Sequence, residues 1–97
     1  MTARFSRRAV AQIAEAIAVI ERDDPRAADA FAQRIERLAA LLCRHPQIGR
    51  ATDLMNVRVT PTKPYPYLMF YETTERGRIT VLRVRHMARK EDWRTGR

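Results

Sequence analysis

The residues best suited to chemistry lie close together in ITVLRVRHMARKEDW, residues 79–93. His86 is the natural proton carrier, because imidazole titrates near neutrality and as a general base can activate a ribose hydroxyl. Arg83, Arg85 and Arg89 are the matching phosphate ligands, with Arg58 from an earlier segment, since a guanidinium offers oxyanions a planar fork and stabilises charge developing around a scissile phosphate. Together they are the groups that cleavage of a phosphodiester would need. Strand side chains alternate with a period of two, which puts Ile79, Val81, Arg83 and Arg85 on one face and Thr80, Leu82, Val84 and His86 on the other. Convergence of His86 with the arginines therefore requires a twist or a bulge. The plainer reading makes His86 a strand-end residue that holds a turn.

The same residues also read as a binding surface. Residues 78–97 carry seven Arg or Lys against two Asp or Glu, a balance of +5 within a chain of net charge +8. A pI near 11.0 favours anionic partners such as nucleic acid, acidic protein segments or lipid headgroups. With regular register, Arg58, Arg83 and Arg85 share one sheet face, where phosphate contacts would be salt-dependent and blind to sequence. An ordinary solvated face is the alternative. Arg89, Lys90 and Arg94 either grip a polyanion or lie solvated, and Trp93 either packs against the sheet or stacks on a base.

Several elements must hold these residues in place. A short start around Phe5 reads as a brief strand, and Ser6 as the N-cap of a helix over residues 7–22 with the apolar stripe Val10, Ile13, Ile17 and Ile20. Asp24 before Pro25 caps a second helix. Its apolar positions Phe31, Ile35, Leu38, Ala39 and Leu42 run to Arg44, and Pro46 and Gly49 stop it. Helices joined this tightly form an antiparallel hairpin. Most of both stripes is core, while Ile13, Ile17, Leu38 and Leu42 are candidates for a groove that accepts a partner's helix.

After the HPQIGR loop, residues 56–60 alternate Val57 and Val59 against Arg58 and read as a strand. Pro61, Pro64 and Pro66 interrupt pairing, so the next strand is YLMFYET, residues 67–73, and a turn over residues 73–77 leads back into residues 79–86. The expected fold is α+β, with the helical hairpin packed on one face of an antiparallel sheet of three to four strands. A basic face should point away from the helices.

Composition sets the outer limits. A chain of 97 residues, 45% apolar and 31% charged, suits a single globular domain rather than a disordered tail. The lone Cys43 excludes an internal disulfide, and without a Cys/His cluster at ligand spacing neither a metal nor another cofactor is expected. Cys43 and His45 read as a buried thiol and a loop residue. Neither a signal-peptide core nor a membrane span can be drawn, so the expected location is cytoplasmic, with no membrane partner.

Taken in order, the DDPRAADAF turn, the HPQIGR loop, the YLMFYE strand and the closing ITVLRVRHMAR strand resemble the RelE/ParE superfamily of toxins from type II toxin–antitoxin modules. The likeness covers nearly the whole chain. It implies a growth-inhibiting, plasmid-stabilising toxin in a hetero-oligomer with a cognate protein antitoxin, whose C-terminal part wraps the toxin surface. Relatives of the RelE type cleave messenger RNA inside the ribosome, whereas those of the ParE type share the fold, inhibit DNA gyrase and lack the nuclease residues. Here Leu68 stands where the nuclease strand carries Arg, and Trp93, which has no hydroxyl, stands where some nucleases carry Tyr. The only lysines, Lys63 and Lys90, match no central lysine of those enzymes. The resemblance is therefore more ParE-like, with the messenger RNA endonuclease as the alternative.

Overall fold

The computed structural model describes residues 3–74 and 76–88. β1 (Arg4–Phe5) leads almost directly into α1 (Arg7–Asp23). Ser6 lies between them in extended backbone, and its hydroxyl accepts the Ala9 N–H at 3.0 Å, which satisfies one of the donors that a helix start leaves open. Asp24 serves both helices. Its N–H donates to the Ile20 carbonyl at 2.9 Å, and its carboxylate accepts the N–H groups of Arg26 and Ala27 at the start of α2 (Pro25–Arg44). Pro25 follows where a missing N–H is harmless. The hairpin turns on this one residue.

The buried stripe of α1 is Ala9 and Ala16, with Ile13, Ile17 and Ile20 packed beside them, whereas Val10 is 55% exposed. Val10 sits at the margin of a stripe centred between Ile13 and Ile20, and small alanines bring the helix close to the sheet. On α2 the expected stripe holds, since Phe31, Ile35, Leu38, Ala39 and Leu42 are all buried.

Among the described residues the sheet has five strands in the order β1-β5-β4-β3-β2, with β2 (Arg50–Ala51), β3 (Val57–Pro61), β4 (Tyr67–Thr73) and β5 (Ile79–His86). β1 runs parallel to β5 and every other pair is antiparallel, so the sheet is mixed. The strand beyond the expected count is β2. It is only two residues long, too short for an alternation signal, and it exists because Arg50 and Ala51 pair with Val59 and Arg58.

β4 assigns the two faces. Tyr67, Met69 and Tyr71 enter the core beneath the helices with Phe31, Ile35, Leu38, Leu42, Ile79, Val81 and Val84. Phe70 points the other way and clusters with Val57 and Val59, with Leu68 and Leu82 alongside. Both faces of the central strands are thus apolar, and the outer one is not simply basic.

Candidate functional site

β5 changes register midway. β4 pairs Tyr71 with Val81 but Phe70 with Arg83, leaving Leu82 as the extra residue of a bulge. The outer edge accounts for its position. β1 covers only Thr80 and Val81, and beyond it α1 takes over the strand's backbone groups. The Ser6 hydroxyl donates to the Leu82 carbonyl at 2.7 Å, and Gln12 Oε1 accepts the Val84 N–H at 2.7 Å.

The bulge overturns the strict alternation expected along this strand. Ile79, Val81 and Val84 face the helices, while Leu82 packs in the outer cluster. Arg83 and Arg85 lie over the Phe70 ring, each with its Cζ 5.6 Å from the ring centroid. Phe70 was not anticipated as their platform, although an aromatic one pairing position from Arg is a readable signal. The guanidiniums cover an apolar ring and gain cation–π attraction at the same time.

His86 does not join them. It pairs with Tyr67, and the two rings meet edge-on at 5.1 Å on the helix side of the sheet. Its Nδ1 accepts the Ala88 N–H at 3.0 Å, which holds the turn after the strand. The bulge comes before Arg83, so the alternation resumes and keeps His86 and the arginine pair on opposite faces.

Arg58 also departs from expectation. It pairs with Tyr71, on the helix side, and its Nη1 donates to the Gly49 carbonyl at 2.6 Å. Tyr71 completes this anchor, because its hydroxyl accepts the Gly49 N–H at 2.8 Å and donates to the Pro46 carbonyl at 2.8 Å. Burial raises the Tyr71 pKa above its ordinary 10.0, opposed by the Gly49 hydrogen bond and the positive charge of Arg58. Gly49 is required by space: an added Cβ would lie 2.6 Å from the Tyr71 hydroxyl and 2.9 Å from the Val59 carbonyl. The HPQIGR loop is thereby fastened to the sheet.

Next to this loop, the β2–β3 turn borders a cleft of about 380 Å³ lined by Pro46, Gln47, Leu54, Met55, Asn56 and Arg58, among others. Of the remaining candidates, Leu38 and Leu42 are 2% and 0% exposed and belong to the core, not to an open groove, because the sheet fills the space beneath α2. Ile13 and Ile17 are half-buried against that core. Arg89, Lys90 and Trp93 lie outside the described residues. Among the described residues no group of His, Cys, Asp and Glu is placed to hold a metal ion, and no helix is long and apolar enough to cross a membrane.

Comparison with known proteins adds an independent line. The family model "ParE toxin of type II toxin-antitoxin system, parDE" matches residues 3–91. The solved structure "Chromosomal ParDE TA system from P. aeruginosa" superposes with a TM-score of 0.74 at 19% sequence identity, covering 89% of this chain and 95% of that one. At that identity the likeness speaks for the fold. No curated protein matches the chain.

Proposed function

The chain belongs to the ParE toxin family of type II toxin–antitoxin systems, and from that premise we propose that it arrests growth in the cytoplasm by inhibiting DNA gyrase and is neutralised by a cognate protein antitoxin. The observation that carries the choice of gyrase over messenger RNA is the sidedness of β5. A ribonuclease needs its proton carrier and its phosphate ligands around one phosphodiester. Here His86 is engaged with Tyr67 and Ala88 on the helix side, and Arg83 and Arg85 are stacked on Phe70 on the other. Leu68, which pairs with Arg85, adds no cation.

An antitoxin partner is supported by the shared fold with a protein from a ParDE toxin–antitoxin system of P. aeruginosa. A toxin of net charge +8 favours an antitoxin that is acidic where it binds, because complementary charge speeds and orients association. The test induces the protein alone in a bacterial host and follows labelled precursor uptake, alongside supercoiling by purified gyrase. DNA synthesis should stop first and supercoiling should be inhibited. An early halt of protein synthesis, with messages cut at codon-phased positions, would replace this reading with the nuclease.

A further inference from the structure

Two of the large apolar side chains left exposed among the described residues are neighbours that line the same cleft: Leu54 at 44% and Met55 at 85%. Single exposed apolar residues need no explanation. These sit on backbone that is locked. The Thr52 hydroxyl accepts the Leu54 N–H at 3.1 Å and donates to the Val57 carbonyl at 2.9 Å, while the Thr52 N–H reaches the same carbonyl at 3.1 Å. Asn56 holds a positive φ of 65°, a conformation Asn tolerates better than most residues, and its carbonyl accepts the Thr73 N–H from β4 at 3.1 Å. The turn is a rigid knuckle with two apolar side chains at its tip.

We propose that this knuckle is the point by which the toxin engages its target, a folded protein with an apolar socket rimmed by acidic side chains; the identity of that target rests on the gyrase reading above. Three features argue for this occupant. Met55 is 85% exposed at the turn, so a partner that buries it has to supply a recess, which a folded target holds ready. Its backbone is set before contact, so little ordering entropy is lost on binding. Arg50 is exposed just before the turn and Arg58 lines the adjoining cleft, against Asp53 as the acidic group of the turn, so the surrounding charge favours a rim of Asp and Glu.

The experiment compares the double variant Leu54→Ser, Met55→Ser with a control pair elsewhere, Val10→Ser, Val19→Ser, whose side chains are 55% and 46% exposed on α1. All four positions are exposed, so both variants should keep the wild-type thermal midpoint. The turn variant should lose roughly 10- to 100-fold in growth-arrest potency, the scale of removing interface anchors, while the control keeps its potency. Undiminished arrest by the turn variant overturns the proposal, as does an equal loss in the control. A turn variant that still arrests growth but escapes neutralisation by antitoxin also overturns it, by reassigning the knuckle to that partner. Failure of the gyrase reading is separate: it is seen when the wild-type protein arrests growth yet leaves supercoiling by purified gyrase intact.

Discussion

The two faces of the sheet bury their aromatic residues by different means. Under the helices, Phe31 and Tyr71 are 0% exposed, sealed by apolar side chains from both layers. On the outer face Phe70 is 2% exposed, and the groups stacked over it are the guanidiniums of Arg83 and Arg85. Equal burial therefore does not mean equal packing. A helix-sealed ring has rigid neighbours on every side, whereas a ring capped by Arg has neighbours that are long, jointed and charged.

The sharpest test of this difference truncates one ring on each face. Phe31→Ala should cost about 5 kcal/mol, at the top of the usual range, because Tyr65 and Tyr67 are fixed around the lost ring and cannot collapse into the space. Phe70→Ala should cost about 3 kcal/mol, since the arginine stems can settle into the gap. Urea unfolding of both variants measures this, and equal losses would show that the arginine cap is as rigid as the helices.

Gly49→Ala comes next. The added methyl would press on the Tyr71 ring and the Val59 backbone, so a loss of about 1–3 kcal/mol is expected from overpacking. A neutral result would mean that the loop is looser than the core beneath it. Tyr71→Phe removes the hydroxyl and leaves the Gly49 N–H and the Pro46 carbonyl without this partner, which should cost about 1–2 kcal/mol at neutral pH.

The same substitution has a pH signature. Burial raises the folded-state pKa of Tyr71 above 10.0, so on titration the unfolded chain loses its proton first. The stability from keeping this hydroxyl neutral is complete below about pH 10 and declines as pH rises toward the folded-state value. Tyr71→Phe should flatten that alkaline decline in thermal melts taken across this range. The smallest effect belongs to the outer face again: Arg83→Lys exchanges a stacking plane for a point charge and should cost about 0.5–1 kcal/mol.

Much of this architecture was legible in the chain. Asp24 before Pro25, the periodic apolar residues of α2 and the apolar runs of β4 and β5 are strong local signals, and each element lies where they place it. The faces were harder to read. One inserted residue at Leu82 re-aims everything after it, and its cause is not local: it lies in Ser6 and Gln12, far back in the chain, which take the place of a neighbouring strand. Arg58 was misplaced for a related reason. Alternation says that Arg58 opposes Val57 and Val59, but not which side the helices will cover, and here an apolar outer cluster claimed the valines. The β2–β3 turn left no hydrophobic period at all, because its order comes from Thr52 and from the positive φ of Asn56.

The parallel pairing of β1 with β5 also sets the order in which the fold can be completed during synthesis. Ser6 caps the first helix and bonds Leu82, which lies 76 positions later. During synthesis the first helix therefore emerges well before the strand that must lie against it, and the ends of a long loop have to meet before that contact stabilises anything. The arginine pair is held on its outer face by this same late strand. Until β5 has been made, Ser6 and β1 lack the strand they lie against, so the start of the first helix and the arginine pair take up their places only after residue 86 has been added.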